Sequence, residues 1–501
     1  MSAQDRSGPV TTIVIPTLGR PSLASLLQAL ADGTAPITAP VVVVDDRRSA
    51  EPLDLPATSL DVVVVRSRGG GPARARNLGW RRARTPWVSF LDDDVLPDPE
   101  WFASLMEDLR SAGPDVAGVQ GRVRVPLPEH RAPTDWERGT AGLAEAQWIT
   151  ADLTYRRDAL VAVGGFDERF PRAFREDADL GLRVTARQGR IVRGSRTVAH
   201  PVRPADFWAS VRQQRGNADD FLMHALHGPH WRRRAAAPRG RRRRSVAVTL
   251  SGTTAVAASL LRRRRLAALA ALGWVAGTAE LATARIQPGP RDRAEVTRMF
   301  VTSAVIPAAA TWHSLRGLIT HHTARPWVGP PDLVLFDRDG TLVHDVPYNG
   351  DPALVRVVPQ ARAVLDRLRH EGVRVGLVTN QSGVASGRIS AAQVRAVNAR
   401  LEELLGPFDA VEVCPHGPEE GCGCRKPAPG MVKHACVTVG VDPARCVVVG
   451  DIGADVDAAV AAGARGILVP TASTDAAEVA RAEQVCPDLG AALEVILGGR
   501  W

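Results

Sequence analysis

Cysteine is missing from the first 413 residues, and all six cysteines lie beyond that point. A disulfide framework is therefore excluded for most of the chain. With no secretory signal at the start, a reducing, cytoplasmic compartment is expected. Long apolar runs are scarce too, since the best stretches are diluted by Ala, Gly, Thr and Ser and fall short of the roughly 20 residues a membrane span wants. No internal repeat is visible, which argues against a solenoid or a propeller. Aromatic residues make up only 5% of the chain. No nucleic-acid recognition module accompanies the arginine runs, and aromatic interleaving is poor, so nucleic acid is not expected as a partner.

What is present is uneven. A chain of 501 residues predicts two or three domains. Residues 1–200 are electrically balanced, residues 201–330 carry a net charge of +15, and residues 331–501 carry −6. The positive excess is confined to the middle. There Arg232 to Arg234, Arg239 and Arg241 to Arg244 precede an uncharged run from Ser245 to Leu261, and Arg262 to Arg265 follow it. Apolar stretches continue at Leu266 to Ala279 and Met299 to Leu315. Arg-flanked, Ala-rich segments of this kind predict attachment to an anionic membrane surface, peripheral at the inner face of the cell membrane. An interfacial helical hairpin is favoured. Soluble helices packed on the preceding domain and true spans are the alternatives, the spans disfavoured because an arginine turn would have to cross.

In the last third, Leu333 to Phe336 is an apolar strand that ends in Asp337-Arg338-Asp339-Gly340-Thr341. A carboxylate at the carboxyl end of a strand in an open α/β sheet sits where such sheets bind ligands, and a second acid two positions on can point into the same crevice. The pair permits phosphoryl transfer: Asp337 attacks phosphorus, Asp339 protonates the leaving alcohol and later activates water, and a divalent cation screens the charges. Arg374 to Val378 reads as a second strand ending in Thr379-Asn380-Gln381, a polar turn able to hold phosphate oxygens. Arg425-Lys426-Pro427 supplies fixed positive charge. Cys446 to Gly450 is a third strand ending in Asp451, with Asp455 and Asp457 beyond, which suits a metal-binding acidic end.

These four motifs in order resemble the haloacid dehalogenase superfamily phosphatases. The resemblance implies Mg2+ held by Asp337, Asp339 and Asp451, with Thr379 and Lys426 completing the catalytic set and Asn380 meeting substrate. Between them lies Cys414-Pro415-His416, followed by Cys422-Gly423-Cys424, a closed four-ligand set that predicts a structural Zn2+ in a loop too poor in apolar residues to hold itself. The zinc loop running into Arg425-Lys426-Pro427 resembles D-glycero-D-manno-heptose 1,7-bisphosphate phosphatases and the related histidinol-phosphate phosphatases. The short His-to-Cys spacing lies nearer the histidinol branch, while Arg425 to Met431 points to the heptose branch. In either, the resemblance implies that Arg425 and Lys426 meet substrate phosphate.

The first 230 residues follow a different pattern. Thr11 to Ile15 is a β-branched strand leading to Pro16-Thr17-Leu18-Gly19-Arg20 and an amphipathic run to Leu30, and Val41 to Val44 is a second strand ending in Asp45-Asp46. Val88 to Leu91 ends in Asp92-Asp93-Asp94, three acids that repel one another unless a cation joins them. A metal there could grip the diphosphate of a nucleotide-sugar. Gly69 to Gly71 precede Arg74-Ala75-Arg76-Asn77 at a helix start, and Phe174-Arg175-Glu176-Asp177 offers a general base for an acceptor hydroxyl.

Together these segments resemble a family 2 glycosyltransferase of the type A fold. The resemblance implies that Pro16, Thr17, Asp45 and Asp46 hold the nucleoside and that Arg76 and Asn77 hold the donor. It further implies that Asp92 and Asp94 hold Mg2+ or Mn2+, and that Asp177, with Glu176 beside it, is the base. His200 matches a further metal ligand of some members, with a structural role as the alternative.

The expected architecture is α/β: two Rossmann-like parallel-sheet domains, 1–235 and 331–501, joined by an Arg-rich helical region at 236–330. The expected function is bifunctional, with glycosyl transfer from a nucleotide-sugar to an acceptor the sequence does not name and hydrolysis of a sugar phosphate. A front half serving only as a binding or tethering module is the alternative.

Overall fold

The computed structural model describes residues 10–324 and 326–498. The chain divides into two compact units, one ending at Trp327 and one starting at Val328.

The first unit is built on one eight-stranded sheet. In chain order its strands are β1 Thr11–Thr17, β2 Val41–Asp45, β3 Val62–Arg66, β4 Trp87–Leu91, β5 Leu96–Pro97, β6 Val116–Arg124, β7 Asp152–Arg156 and β8 Arg190–Ala199. They lie in the order β3-β2-β1-β4-β7-β6-β8-β5. The four at one side, β3-β2-β1-β4, pair in parallel, as the alternation of β-branched strands with amphipathic helices predicts. Beyond β4 the pairing is mixed: β7 runs antiparallel to both β4 and β6, β5 runs antiparallel to β8, and β6 and β8 are parallel. Strands 1, 2 and 4 are buried on both faces, so they read as continuous apolar runs rather than as alternation. Ile13, Ile15, Val41 and Val43 face one apolar layer, and Val14, Val42, Val44 and Phe90 face the other.

Three helices bring function to this sheet. Helix α1, Pro72–Arg82, packs so closely that a Cβ on Gly79 would lie 2.3 Å from Val14 Cγ1. Helix α2, Glu176–Arg187, starts after Arg175, whose φ of 79° is left-handed. That conformation strains a non-glycine residue. Helix α3, Gly216–His227, closes one side.

The basic middle region forms three further helices: α4 Arg242–Leu260, α5 Arg264–Ile286 and α6 Arg293–His321. By packing they belong to the first unit. Helix α6 lies against α3, so closely that a Cβ on Gly317 would stand 2.6 Å from Ala218 Cα. Helix α5 is, by length and composition, the one helix among the described residues that could cross a membrane, and only 6% of its apolar window is buried. The uncharged runs understate its length because the helix continues through its arginine ends.

The second unit has a five-stranded, wholly parallel sheet: β9 Leu333–Phe336, β10 Arg374–Asn380, β11 Ala410–Cys414, β12 Cys446–Gly450 and β13 Arg465–Leu468, in the order β11-β10-β9-β12-β13. Leu333 and Leu335 face one apolar layer, Val334 and Phe336 the other. The carboxyl ends of β9, β10 and β12 are adjacent, and at that rim such sheets bind ligands.

Candidate active sites

In the second unit, Asp337 follows the end of β9 and meets Lys426, whose ammonium also pairs with Asp455. Lys426 is buried, donates to the Val378 carbonyl at 3.1 Å, and is held through its backbone by the Asn380 side-chain amide, 3.1 Å in each direction. Asn380 thus fixes the lysine's backbone rather than facing an open crevice. Asp337, Asp451 and Asp455 bring three carboxylates within 4.8 Å of one another. Burial, countered by Lys426 but reinforced by Asp455, pushes the Asp337 carboxyl up to about 8. Burial and the Asp455 charge push Asp451 up to about 6. Three carboxylates against one ammonium leave negative charge in excess, and hard oxygen donors suit a small divalent cation. Gly340 is required here twice over: its φ is +79°, and a Cβ would lie 2.2 Å from Asp451 Oδ2.

The acid cluster differs from the expected one in one member. Asp339 does not join it, because Arg338 grips its carboxylate at 2.9 Å and Gln381 donates to it, also at 2.9 Å. Asp455 takes the third place, one helical turn beyond Asp451, and the Asp-x-x-x-Asp spacing was the signal for it. Asp457 points away and is exposed. Thr379 is buried and accepts from Gln381 at 3.0 Å, on the same side as Asp339.

The four zinc-type donors also converge. Cys414 Sγ lies 3.7 Å from His416 Nδ1 and from Cys422 Sγ, and Cys424 Sγ lies 3.3 Å from Cys414, 3.4 Å from Cys422 and 3.2 Å from His416 Nδ1. Donors held about 2.3 Å from a tetrahedral zinc stand roughly 3.3 to 3.8 Å apart. Arg425 extends from this loop and donates to the His416 carbonyl at 3.3 Å. Cys436, Cys446 and Cys486 are buried in the apolar core.

In the first unit a cavity of about 620 Å3 opens at the carboxyl ends of β1, β2 and β4. Pro16, Thr17, Asp46, Arg76 and Asp92 line it, together with the glycine loop 69–71. Asp46 accepts from Ser67 Oγ at 2.6 Å and from the Gly71 backbone N–H at 3.0 Å, which secures that loop. Arg76 is buried and joins two acids, Asp92 at 2.7 Å and Glu176 at 2.9 Å. Glu176 Oε2 has no hydrogen-bond partner among the described residues. Burial and the neighbouring Asp177 push the Glu176 carboxyl up to about 8. Asp177 is raised as well, chiefly by burial.

Asp92, Asp94 and His200 bring three donor atoms within 4.8 Å of one another, so the lone histidine does sit with the acids. Asp94 Oδ1 is buried without a hydrogen bond among the described residues, 3.7 Å from His200 Nε2, while its other oxygen pairs with Arg203. An orphaned carboxylate oxygen beside an imidazole fits a divalent cation. The middle acid turns elsewhere: Asp93 accepts from Thr17 at 2.7 Å and from Arg20 at 2.8 Å.

Two expected donor contacts are structural instead. Asp45 is buried, and although burial opposes its charge, the Arg47 guanidinium, 2.9 Å away, holds its carboxyl below the usual range. Asn77 is buried and spends its amide on the Phe166 backbone and on Glu168, each at 2.8 Å. Four cavity-lining arginines, Arg47, Arg48, Arg172 and Arg203, were not picked out from the sequence, because arginine is too common in this chain to mark a site.

Comparison with known proteins matches a family to part of each unit. The Glycosyl transferase family 2 model matches residues 12–164, and a HAD-hydrolase-like model matches residues 423–492. The D-glycero-beta-D-manno-heptose-1,7-bisphosphate 7-phosphatase of Bordetella bronchiseptica is 34% identical over 174 residues, which is 33% of this chain and 97% of that protein. The chain belongs to that phosphatase family through its last third. The phosphatase of the same name from Pseudomonas aeruginosa is 36% identical over 148 residues, 28% of this chain and 81% of that one. A solved D,D-heptose 1,7-bisphosphate phosphatase from B. bronchiseptica, complexed with magnesium and phosphate, is 34% identical, covers 33% of this chain and 98% of its own, and has a TM-score of 0.31. This heptose-bisphosphate-type phosphatase is thus fused to a family 2 glycosyltransferase domain, and the protein is an enzyme of both classes.

Proposed function

We propose that the phosphatase unit hydrolyses a sugar phosphate, D-glycero-D-manno-heptose 1,7-bisphosphate, through an aspartyl phosphate on Asp337. The observation that carries this reading is the convergence onto one buried spot of Asp337 and Asp451 from two strand ends, Asp455 from the helix after β12, and Lys426 from the loop that follows the zinc-type donors. An Asp337 oxygen attacks phosphorus as the sugar oxygen leaves, and Asp339 gives that oxygen its proton and then takes one from the attacking water. Lys426 stabilises charge on the transferred phosphoryl group while Asn380 keeps the lysine in place, and Arg425 steers the substrate. Asp337, Asp451 and Asp455 would hold magnesium, which would supply charge neutralisation for the phosphoryl group when bound. Zinc, held by Cys414, His416, Cys422 and Cys424, orders the loop that carries Arg425 and Lys426.

In the transferase unit, the nucleotide-sugar lies in the 620 Å3 cavity, with Asp46 and Thr17 on the nucleoside side and Arg76 beside the diphosphate. Asp92, Asp94 and His200 suit magnesium or manganese there, which would stabilise the departing diphosphate. Asp177 is the base, and Glu176, bound to Arg76, tunes it. The two reactions share one logic, since removing the 7-phosphate leaves the sugar 1-phosphate from which an activated donor is built. The helices α4 to α6 attach the protein to the cytoplasmic face of an anionic membrane. A screen of phosphate release from sugar phosphates with magnesium tests the substrate: far faster hydrolysis of histidinol phosphate than of any sugar bisphosphate would overturn the heptose assignment.

A further inference from the structure

A second, larger cavity lies beside the donor site within the same unit. It measures about 710 Å3 and is walled by the segment 172–174, by α3, and by the three middle helices. Arg172 and Ala173 line both cavities, so this short segment is a shared partition. The walls are of two kinds. Arg172, Arg212, Arg285, Arg239, Gly240 and the start of α4 make one side strongly basic, with seven arginines against three acids. Val248, Leu281, Ile306, Pro307 and Ala310 make the other side apolar. Acids engage five of the seven: Arg172 pairs with Asp219, Arg212 with Asp206, Arg285 with Asp135, and Arg241 and Arg244 share Glu280. Arg239 and Arg242 are exposed and have no acid partner among the described residues, so they are the cations open to an anion.

The helices that form this wall turn inside out away from it. Small residues face inward: a Cβ on Gly277 would stand 2.3 Å from Val248 Cγ2, and one on Gly252 would stand 2.9 Å from Trp274. Thr249 and Thr311 hydrogen-bond across α4 and α6 at 3.0 Å. Large apolar side chains face outward, with Leu260 79% exposed, Leu269 69% and Leu272 65%. Small residues and hydroxyls between helices with leucines outside is the packing pattern of helices in lipid rather than in water.

We infer that this cavity is the acceptor site, and that the acceptor is a membrane amphiphile: a hydroxyl-bearing headgroup carrying phosphate, on an apolar tail. The phosphate rests on the arginines, as charge-assisted hydrogen bonds favour. The tail leaves over the Val248 and Ile306 side toward the exposed leucines, and the hydroxyl reaches past Arg172 to the donor. A lone pair of that hydroxyl forms the bond to the anomeric carbon. The bond from that carbon to the nucleoside diphosphate breaks with its electron pair leaving on the diphosphate, and Asp177 receives the proton. This inference rests on the transferase reading above.

The test is calorimetric binding to the full-length protein of dodecyl phosphate carried in neutral dodecyl maltoside micelles. The variant Arg239→Gln/Arg242→Gln alters two exposed arginines outside the donor site. Dodecyl phosphate is expected to bind saturably, and the variant to bind about tenfold more weakly, the loss of one or two charge-assisted contacts. Leu281→Gln is expected to weaken binding while leaving the arginines in place. Equal binding by wild type and the double variant would overturn the inference. So would inorganic phosphate binding as tightly as dodecyl phosphate, or dodecanol in the same micelles doing so. Nucleoside diphosphate binding, lost in Asp92→Ala and kept in the double variant, reports on the donor site alone, so the two readings fail separately.

Discussion

Replacing Asp337 by Asn should silence the phosphatase and at the same time stabilise its unit when magnesium is absent. Asp337 is 7% exposed and shares its pocket with Asp451, Asp455 and one lysine. In the unfolded chain its proton leaves near 3.8, whereas in the folded one burial and Asp455, opposed by Lys426, hold the proton up to about 8. A carboxyl whose folded value is raised contributes no penalty below the unfolded value. The penalty grows as pH rises between the two values and is complete above the folded one. At about 1.4 kcal/mol per unit, the penalty at neutral pH is on the order of a few kcal/mol. Asn keeps the shape and does not titrate, so that penalty disappears. For a unit of this size it corresponds to a melting temperature higher by roughly 5 to 10 °C. The assay is thermal unfolding in magnesium-free buffer from pH 5 to 8.5, alongside phosphate release with magnesium. The difference between variant and wild type should widen with pH and shrink when magnesium is added to the wild type. A variant that is less stable at pH 8, or one that still releases phosphate, would refute the crowded-acid account.

Cys424→Ser removes one of the four converging donors; bound zinc measured by mass spectrometry should fall from one per chain to near none, with phosphate release lost because Lys426 stands two residues further on. Gly340→Ala meets both a left-handed backbone and Asp451 Oδ2 at 2.2 Å, and should cost about 2 to 4 kcal/mol in denaturant unfolding along with most of the activity. Asp92→Ala should abolish glycosyl transfer and leave phosphate release unchanged, and parallel loss of both would show that the two units do not act as separate catalysts. Glu176 is raised to about 8 by burial and by Asp177, so wild-type stability should fall as pH rises from 5 to 8 and level off above that. Glu176→Gln should flatten that fall in a melting series, and an unchanged slope would discard Glu176 as the titrating group.

The strands and the residues at their ends were legible from local pattern alone. Runs such as Leu333 to Phe336 and Val41 to Val44 are buried on both faces, and continuous β-branched or apolar character is what double burial selects. Because parallel strands present their carboxyl ends on one rim, the acids after β4, β9 and β12 could be assigned to sites before any packing was known. The zinc set was legible for a different reason: its four ligands fall within eleven residues, so local chain geometry nearly closes it.

Which neighbours each acid keeps was set by long-range packing. Asp455 rather than Asp339 stands with Asp337 and Asp451, because Arg338 and Gln381 hold the Asp339 carboxylate while Asp455 returns to Lys426. Asn77 and Asp45 leave the donor site because Phe166 and Arg47 reach them first. The amphipathic cavity is visible to no local pattern at all. Its lining is drawn from segments between Asp135 and Ala310, and only folding sets them around one space.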